Sequence, residues 1–157
     1  MTVKTIHVFD LDGTVINSEH RYRLGDDGKI DLPHWIENCK PEMIEKDTLL
    51  PHAYLYKALI KDPSAYVVIA TSRFAQKADF EYVKQNLGEP DKFIYRHADN
   101  NHMKGADLKI AGLRFLNNLK QFQGTIRYFY EDNKDYLYPV AAFLKAQAIF
   151  VPSEQGF

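Results

Sequence analysis

A chain of 157 residues is about one domain's length, and 45% hydrophobic with 26% charged residues is the make-up of an ordinary globular protein. Twenty Lys and Arg against 21 Asp and Glu leave a net charge of −1, which excludes a strongly basic surface as the main source of affinity for nucleic acid. The single cysteine, Cys39, excludes an intramolecular disulfide and a cysteine-based zinc site. No apolar run approaches a membrane span, and MTVKTIHVFD has no hydrophobic leader, so the expectation is a cytoplasmic domain.

In chain order, Val3–Phe9 reads as a strand that ends at Asp10. The stretch 16–62 breaks the rhythm. Within it, Leu24–Ile30 carries Gly and Asp at a hairpin-like turn, Pro33 and Pro41 sit where short helices start, and His52–Lys61 reads as a longer helix. Ala65–Ala70 is a β-branched apolar run ending in Thr71-Ser72-Arg73. Phe80, Val83 and Leu87 have helical spacing, Lys92–Tyr95 is a weaker strand, and leucines from 108 to 119 predict one helix over about 106–120. Thr125–Tyr130 is a strand running into Glu131-Asp132-Asn133; Val140, Phe143 and Leu144 mark a helix, and Ala148–Val151 a last strand. Strands alternating with helices predict an α/β fold around a five-stranded, mostly parallel sheet. We read residues 1–157 as one domain, with 16–62 as a flap and helical insert too small to fold alone.

Ligands of such sheets bind beyond the carboxyl ends of the strands. Those ends here carry Asp10 and Asp12, Thr71 and Arg73, and Asp132. In Asp10-Leu11-Asp12-Gly13-Thr14 the two carboxylates are spaced i, i+2 and face one side, while Gly13 permits a sharp turn and Thr14 can bond nearby backbone or carboxylate. Two adjacent carboxylates repel unless a cation neutralises them; Mg²⁺ suits oxygen ligands of this kind, and Asp132 would complete the set. No Walker loop, G-x-G-x-x-G or G-x-S-x-G occurs.

Asp10-Leu11-Asp12-Gly13-Thr14-Val15, Thr71, a downstream lysine and an acidic pair after the fourth strand resemble the haloacid dehalogenase (HAD) superfamily from Phe9 to about Tyr138. The resemblance implies a three-layer Rossmann-like fold with a short flap hairpin, no cap domain, and phosphatase activity. It makes Asp10 the nucleophile that becomes an aspartyl-phosphate and Asp12 the general acid and base. Thr71, with Ser72 beside it, binds the phosphoryl oxygens; Lys109 neutralises them, with Lys104 as the competing candidate. Asp132 holds Mg²⁺ with Asp10 and the Asp12 carbonyl, Glu131 is an outer support, and Asp135 reads as a helix-start acid. Thr71-x-Arg73 with Arg21 eleven residues after Asp10 resembles the 3′-phosphatase domain of polynucleotide kinase–phosphatases. In that likeness both arginines bind phosphate; taken alone, each also reads as a surface residue, Arg21 more so. Small phage-encoded HAD proteins are a further, looser resemblance.

The expectation is therefore a Mg²⁺-dependent phosphomonoester hydrolase acting on nucleotides or nucleic-acid phosphate ends. It engages a phosphorylated small molecule or a single end, forms no stable nucleic-acid complex and touches no membrane; its oligomeric state is open. Sugar phosphates or other small metabolites are the rival substrates. Outside catalysis the rivals are a weakly active HAD scaffold and a receiver-like module phosphorylated on Asp10, against which Asp12 argues. Trp35 and the tyrosines 128, 130, 136 and 138 read as packing residues before base-stacking ones.

Overall fold

A computed structural model describes residues 2–153. β1 (Thr5–Phe9) leads through Asp10 into a tight turn and the two-residue strand β2 (Ile16–Asn17). A 3-10 turn over Glu19–Arg21, a hairpin, α1 (Leu32–Glu37) and α2 (Pro41–Ile44) follow. The insert closes on β3 (Thr48–Leu49), antiparallel to β2, and on α3 (His52–Leu59). Then come β4 (Ala65–Phe74), α4 (Lys77–Asn86), β5 (Lys92–Arg96), α5 (Gly105–Leu113), α6 (Phe115–Asn118), β6 (Ile126–Glu131), α7 (Lys134–Leu144) and β7 (Gln147–Phe150).

The main sheet has the order β5-β4-β1-β6-β7, and all four pairings are parallel. β1 lies at the centre, with β4 and β6 on either side, so the crossovers reverse direction about it. That reversal is where a parallel sheet opens a crevice at its carboxyl edge. Strand alternation sends Ile6, Val8, Val68, Ala70 and Phe129 to one face, against Leu108, Leu113, Val140 and Leu144. Phe9, Val67, Ile69 and Tyr130 go to the other, against Tyr56, Tyr82 and Val83. Both faces are covered, which is why the central strands read as continuous apolar runs. Among the described residues there is no cap domain, and no helix is long and apolar enough to cross a membrane.

Two elements differ from the expected ones. β4 runs on to Phe74, so Thr71 and Arg73 are strand residues, with a register shift against β5 between Ala70 and Phe74. The single helix expected over 106–120 breaks after Leu113 into α5, α6 and a 3-10 turn. The break lets Phe122 pack on Tyr66, their ring centres 4.7 Å apart. Carbonyls released by it are taken by Arg127, which donates to Leu116 O at 2.8 Å and Phe122 O at 3.1 Å. The hairpin is as expected: Leu24 bridges Ile30 antiparallel, and Gly25 N donates to Lys29 O.

α7 ends on Lys145 with φ at 53°, the left-handed conformation in which a side chain costs about 1–2 kcal/mol. Lys145→Gly is therefore expected to stabilise the protein by about 1 kcal/mol, a rise of roughly 2–4 °C in Tm by thermal unfolding.

Candidate active site

The turn after β1 is wound around one carbonyl. Leu11 O accepts from the amides of Thr14, Val15 and Ile16, and Gly13 N donates to Ile16 O at 2.8 Å. Leu11 is thereby sealed in the core, and the flanking carboxylates turn to the sheet's carboxyl edge. Gly13 takes φ at 79°, and a Cβ there would lie 2.0 Å from Asp132 Oδ2. This position thus requires glycine both for its backbone and for its neighbour.

Asp10 is held at both oxygens. Lys109 Nζ donates to Oδ1 at 2.8 Å, and the buried Thr14 hydroxyl donates to Oδ2 at 3.0 Å. Lys109, fully buried on α5, also donates to Glu131 Oε1 at 2.6 Å. Burial by itself would depress the lysine's pKa, but Asp10 and Glu131 reverse that and hold it charged. Glu131 Oε2 accepts from the amides of Asp132 and Asn133, which fixes the start of α7. Asp10, Glu131 and Asp132 present oxygens within 4.8 Å of one another. Were all three ionised, one ammonium would leave two negative charges unbalanced. Burial, and then the Asp10 charge, push the carboxyls of Glu131 and Asp132 above the usual carboxylate range. Among the described residues, Asp132 Oδ2 is the buried side-chain atom without a hydrogen-bond partner. An orphaned hard oxygen, three carboxyls gathered around one ammonium and the space that Gly13 leaves open fit a small divalent cation.

Lys109 and not Lys104 occupies the cluster: Lys104 is the exposed residue capping α5, five residues away. Gly105 lies one helical turn before Lys109, and its missing Cβ lets the Tyr136 ring close in, 5.1 Å from Lys109 Nζ.

Asp12 is gripped by a second set of charges. Ser18 Oγ donates to it at 2.7 Å, and Arg73 donates through Nε at 3.0 Å and through Nη2. Burial would raise the Asp12 pKa, but Arg73, Arg21 and Ser18 bring it below the usual carboxylate value. Arg73 Nη1 donates to Asp79, which also accepts from Gln76 N in the capping box of α4. Arg73 is buried rather than on the surface; it lines the cleft while its fork is engaged by the carboxylates of Asp12 and Asp79. Arg21 is likewise not a surface residue. It is fully buried, donates to both Asp47 oxygens at 2.9 and 2.8 Å, and lies 3.9 Å from Asp12. It stands behind Asp12, with the Trp35 ring 4.7 Å from its guanidinium, and it does not line the cleft.

The cleft above these groups has a volume of about 830 Å³. Asp10, Asp12, Thr71, Ser72 and Asp132 line its floor. Thr71 is buried, and its Oγ1 accepts from Arg73 N at 3.0 Å. Sequence reasoning missed Ser18, Asp47 and Asp79 as partners of the two arginines, and Glu131 as the second anchor of Lys109. Only Asp79 left a signal, three residues after Gln76 at a helix start.

A family model described as bacteriophage T5 5′-deoxynucleotidase matches residues 1–95, which include Asp10, Asp12, Arg21, Thr71 and Arg73. The 5′-deoxynucleotidase of Escherichia phage T5 is 34% identical over 86 residues, 53% of this chain and 35% of that protein. The aligned part of the chain thus spans about a third of that curated relative's length. Among solved structures, a predicted phosphatase from Clostridium acetobutylicum superposes with TM-score 0.67 at 13% identity, covering 99% of this chain and 89% of that one. The haloacid dehalogenase-like protein SP0104 from Streptococcus pneumoniae gives 0.63 at 14%, covering 97% and 88%. A chain of the Pnkp1/Rnl/Hen1 complex gives 0.65 at 16%, covering 96% of this chain and 46% of that one. These likenesses establish a HAD-like fold.

Proposed function

From the membership of this chain in the bacteriophage T5 5′-deoxynucleotidase family, we propose that it is a Mg²⁺-dependent phosphomonoesterase that removes the 5′-phosphate of deoxynucleoside monophosphates in the cytoplasm. The observation that carries this reading is the placement of Asp10 between Lys109 and Thr14, on the floor of the cleft that Asp12 and Thr71 share.

Asp10 attacks phosphorus: a bond forms from its carboxylate oxygen as the bond to the nucleoside 5′-oxygen breaks. Lys109 and Thr14 keep that carboxylate from rotating, and the lysine with the Thr71 hydroxyl stabilises the phosphoryl oxygens. Asp12 protonates the departing 5′-oxygen. It then takes a proton from the water that attacks the aspartyl-phosphate, releasing phosphate and restoring Asp10. In the resting cleft Arg73 and Ser18 hold Asp12 ionised, the form needed for the second half. For the first half one of these contacts must yield to a proton as substrate enters. Asp10, Asp132 and the Asp12 carbonyl are the groups that would hold Mg²⁺, which when bound screens the phosphate from the site's own negative charge. Glu131, already bound to Lys109 and two backbone amides, keeps the lysine in place.

Phosphate release measured across 5′- and 3′-deoxynucleotides, 3′-phosphorylated oligonucleotides and sugar phosphates, with Mg²⁺ and with EDTA, tests the reading. The 5′-deoxynucleotides are expected to be cleaved best, and only with Mg²⁺. Preference for another class overturns the substrate, and no cleavage of any overturns the activity. Mg²⁺ is also expected to raise Tm, and by more at pH 8 than at pH 5. The raised carboxyl of Asp132 binds a proton in the folded metal-free state, so the cluster is most stable at low pH and loses that contribution as pH rises; a cation replaces that proton. A Tm rise independent of pH would contradict this account of the cluster.

A further inference from the structure

The wall opposite the carboxylates comes from the insert and has a different character. Tyr22, Ile30, Leu32, Trp35, Ile36 and Cys39 line it, and none carries a charge. Leu32, Trp35 and Ile36 stand at i, i+3 and i+4 on α1, the spacing that normally turns a helix face into a core. Yet no residue of α1 is buried; Leu32 is 58% exposed and Ile36 70%. Phe74, at the end of β4 across the cleft, is 44% exposed. Single exposed apolar side chains need no explanation, but several gathered in one cleft beside a reactive centre mark a ligand surface.

The helix is also fixed in place. Six residues are too few to hold a helix unaided, and α1 is anchored at its N-cap and through one edge of its apolar face. Asp31 caps it by accepting from His34 N at 3.1 Å, and Arg23 in turn donates to Asp31 at 2.8 Å. Trp35 rests against the buried Arg21 guanidinium. Anchors of this kind preserve a surface that the core does not use.

We propose that the apolar face of α1, with Ile30 and Phe74, is the nucleobase subsite, holding the base by stacking and apolar contact and so accepting all four bases. The inference rests on the nucleotidase reading and adds to it the residues that separate a nucleotide from a bare sugar phosphate. A base is flat, apolar on its faces and joined to its phosphate through one sugar. The cleft places an uncharged wall beside a phosphate-sized charged floor, within the volume range of pockets that enclose whole small ligands. Because the insert's wall is mostly apolar and offers few hydrogen-bonding groups beside Tyr22, discrimination among base edges has little to act on there.

Trp35 is the single tryptophan of the chain, so its fluorescence reports on this wall directly. Titrating Asp10→Asn protein with each of the four deoxynucleoside 5′-monophosphates is expected to shift or quench that emission, with dissociation constants within about tenfold of one another. Deoxyribose 5-phosphate is expected to leave it unchanged. No response to any nucleotide, or an equal response to the sugar phosphate, overturns the subsite. Turnover gives the second readout. Ile36→Asp is expected to reduce kcat/KM for a 5′-deoxynucleotide at least about tenfold more than for deoxyribose 5-phosphate. Equal losses on both, or no loss, overturn it. So does a change in elution volume showing that Ile36→Asp dissociates an assembly, since the face would then be covered by a second copy. If the wild-type protein cleaves sugar phosphates but no nucleotide, the nucleotidase reading fails instead, and the two failures are told apart.

Discussion

Asp10→Asn is expected to lower phosphate release from a 5′-deoxynucleotide by on the order of 10⁴-fold or more, the scale seen when a covalent nucleophile is removed. In EDTA it is expected to melt no lower than the wild type. The first part follows from chemistry: a carboxamide oxygen does not attack phosphorus, and among the described residues no other carboxylate on the cleft floor is positioned by both a lysine and a threonine. The second follows from the charge balance. Both Asp10 oxygens accept hydrogen bonds, so an amide nitrogen at either position loses one of them, at about 1–3 kcal/mol. Against this, removing one of three carboxylates packed within 4.8 Å relieves repulsion of comparable size. Phosphate release and thermal unfolding of the same sample check both parts. Activity within tenfold of wild type sinks the nucleophile assignment, and a large drop in Tm would show a folding defect in place of a chemical one.

Lys109→Met is expected to be the most destabilising change at the site, by about 3–5 kcal/mol or on the order of 10 °C in Tm, and to abolish turnover. The methionine fills the space, but Asp10 and Glu131 then face each other across a buried gap with no counter-charge. Lys104→Ala, at an exposed capping position, is expected to stay within about 0.5 kcal/mol of wild type and to retain activity. Thermal unfolding and phosphate release on the two variants side by side provide the check. A mild Lys109→Met or a severe Lys104→Ala would reverse the assignment.

What was legible in the sequence was whatever local pattern records. The buried strands announce themselves as β-branched runs, and Asp10, Asp12, Thr71 and Asp132 follow because they end those runs. Lys109 was half legible: helix phase puts it one turn beyond Gly105, but only once the helix is started at Gly105. The surroundings of Asp12 were not legible. The pairing of Arg21 with Asp47 joins residues 26 apart in an irregular insert, and that of Arg73 with Asp12 spans 61. No periodicity encodes such contacts, so Arg21, which taken alone reads as a surface residue, and Arg73, which reads as a phosphate binder, are both found paired with buried carboxylates. β2 and β3 escaped for a simpler reason, since two residues are too few to alternate.

The central position of β1 has a consequence for how the protein is made. Asp10 precedes its lysine partner by 99 residues of chain. At about 5–20 residues per second, synthesis of that interval takes roughly 5–20 seconds. During it β1 gains its β4 neighbour first, while the edge that β6 will fill stays open and Asp10 lacks the Lys109 counter-charge. A nascent chain halted before β6 is expected to offer an unpaired apolar strand edge to chaperones and to other chains. Asp10 is thus synthesised well before the groups that complete its environment.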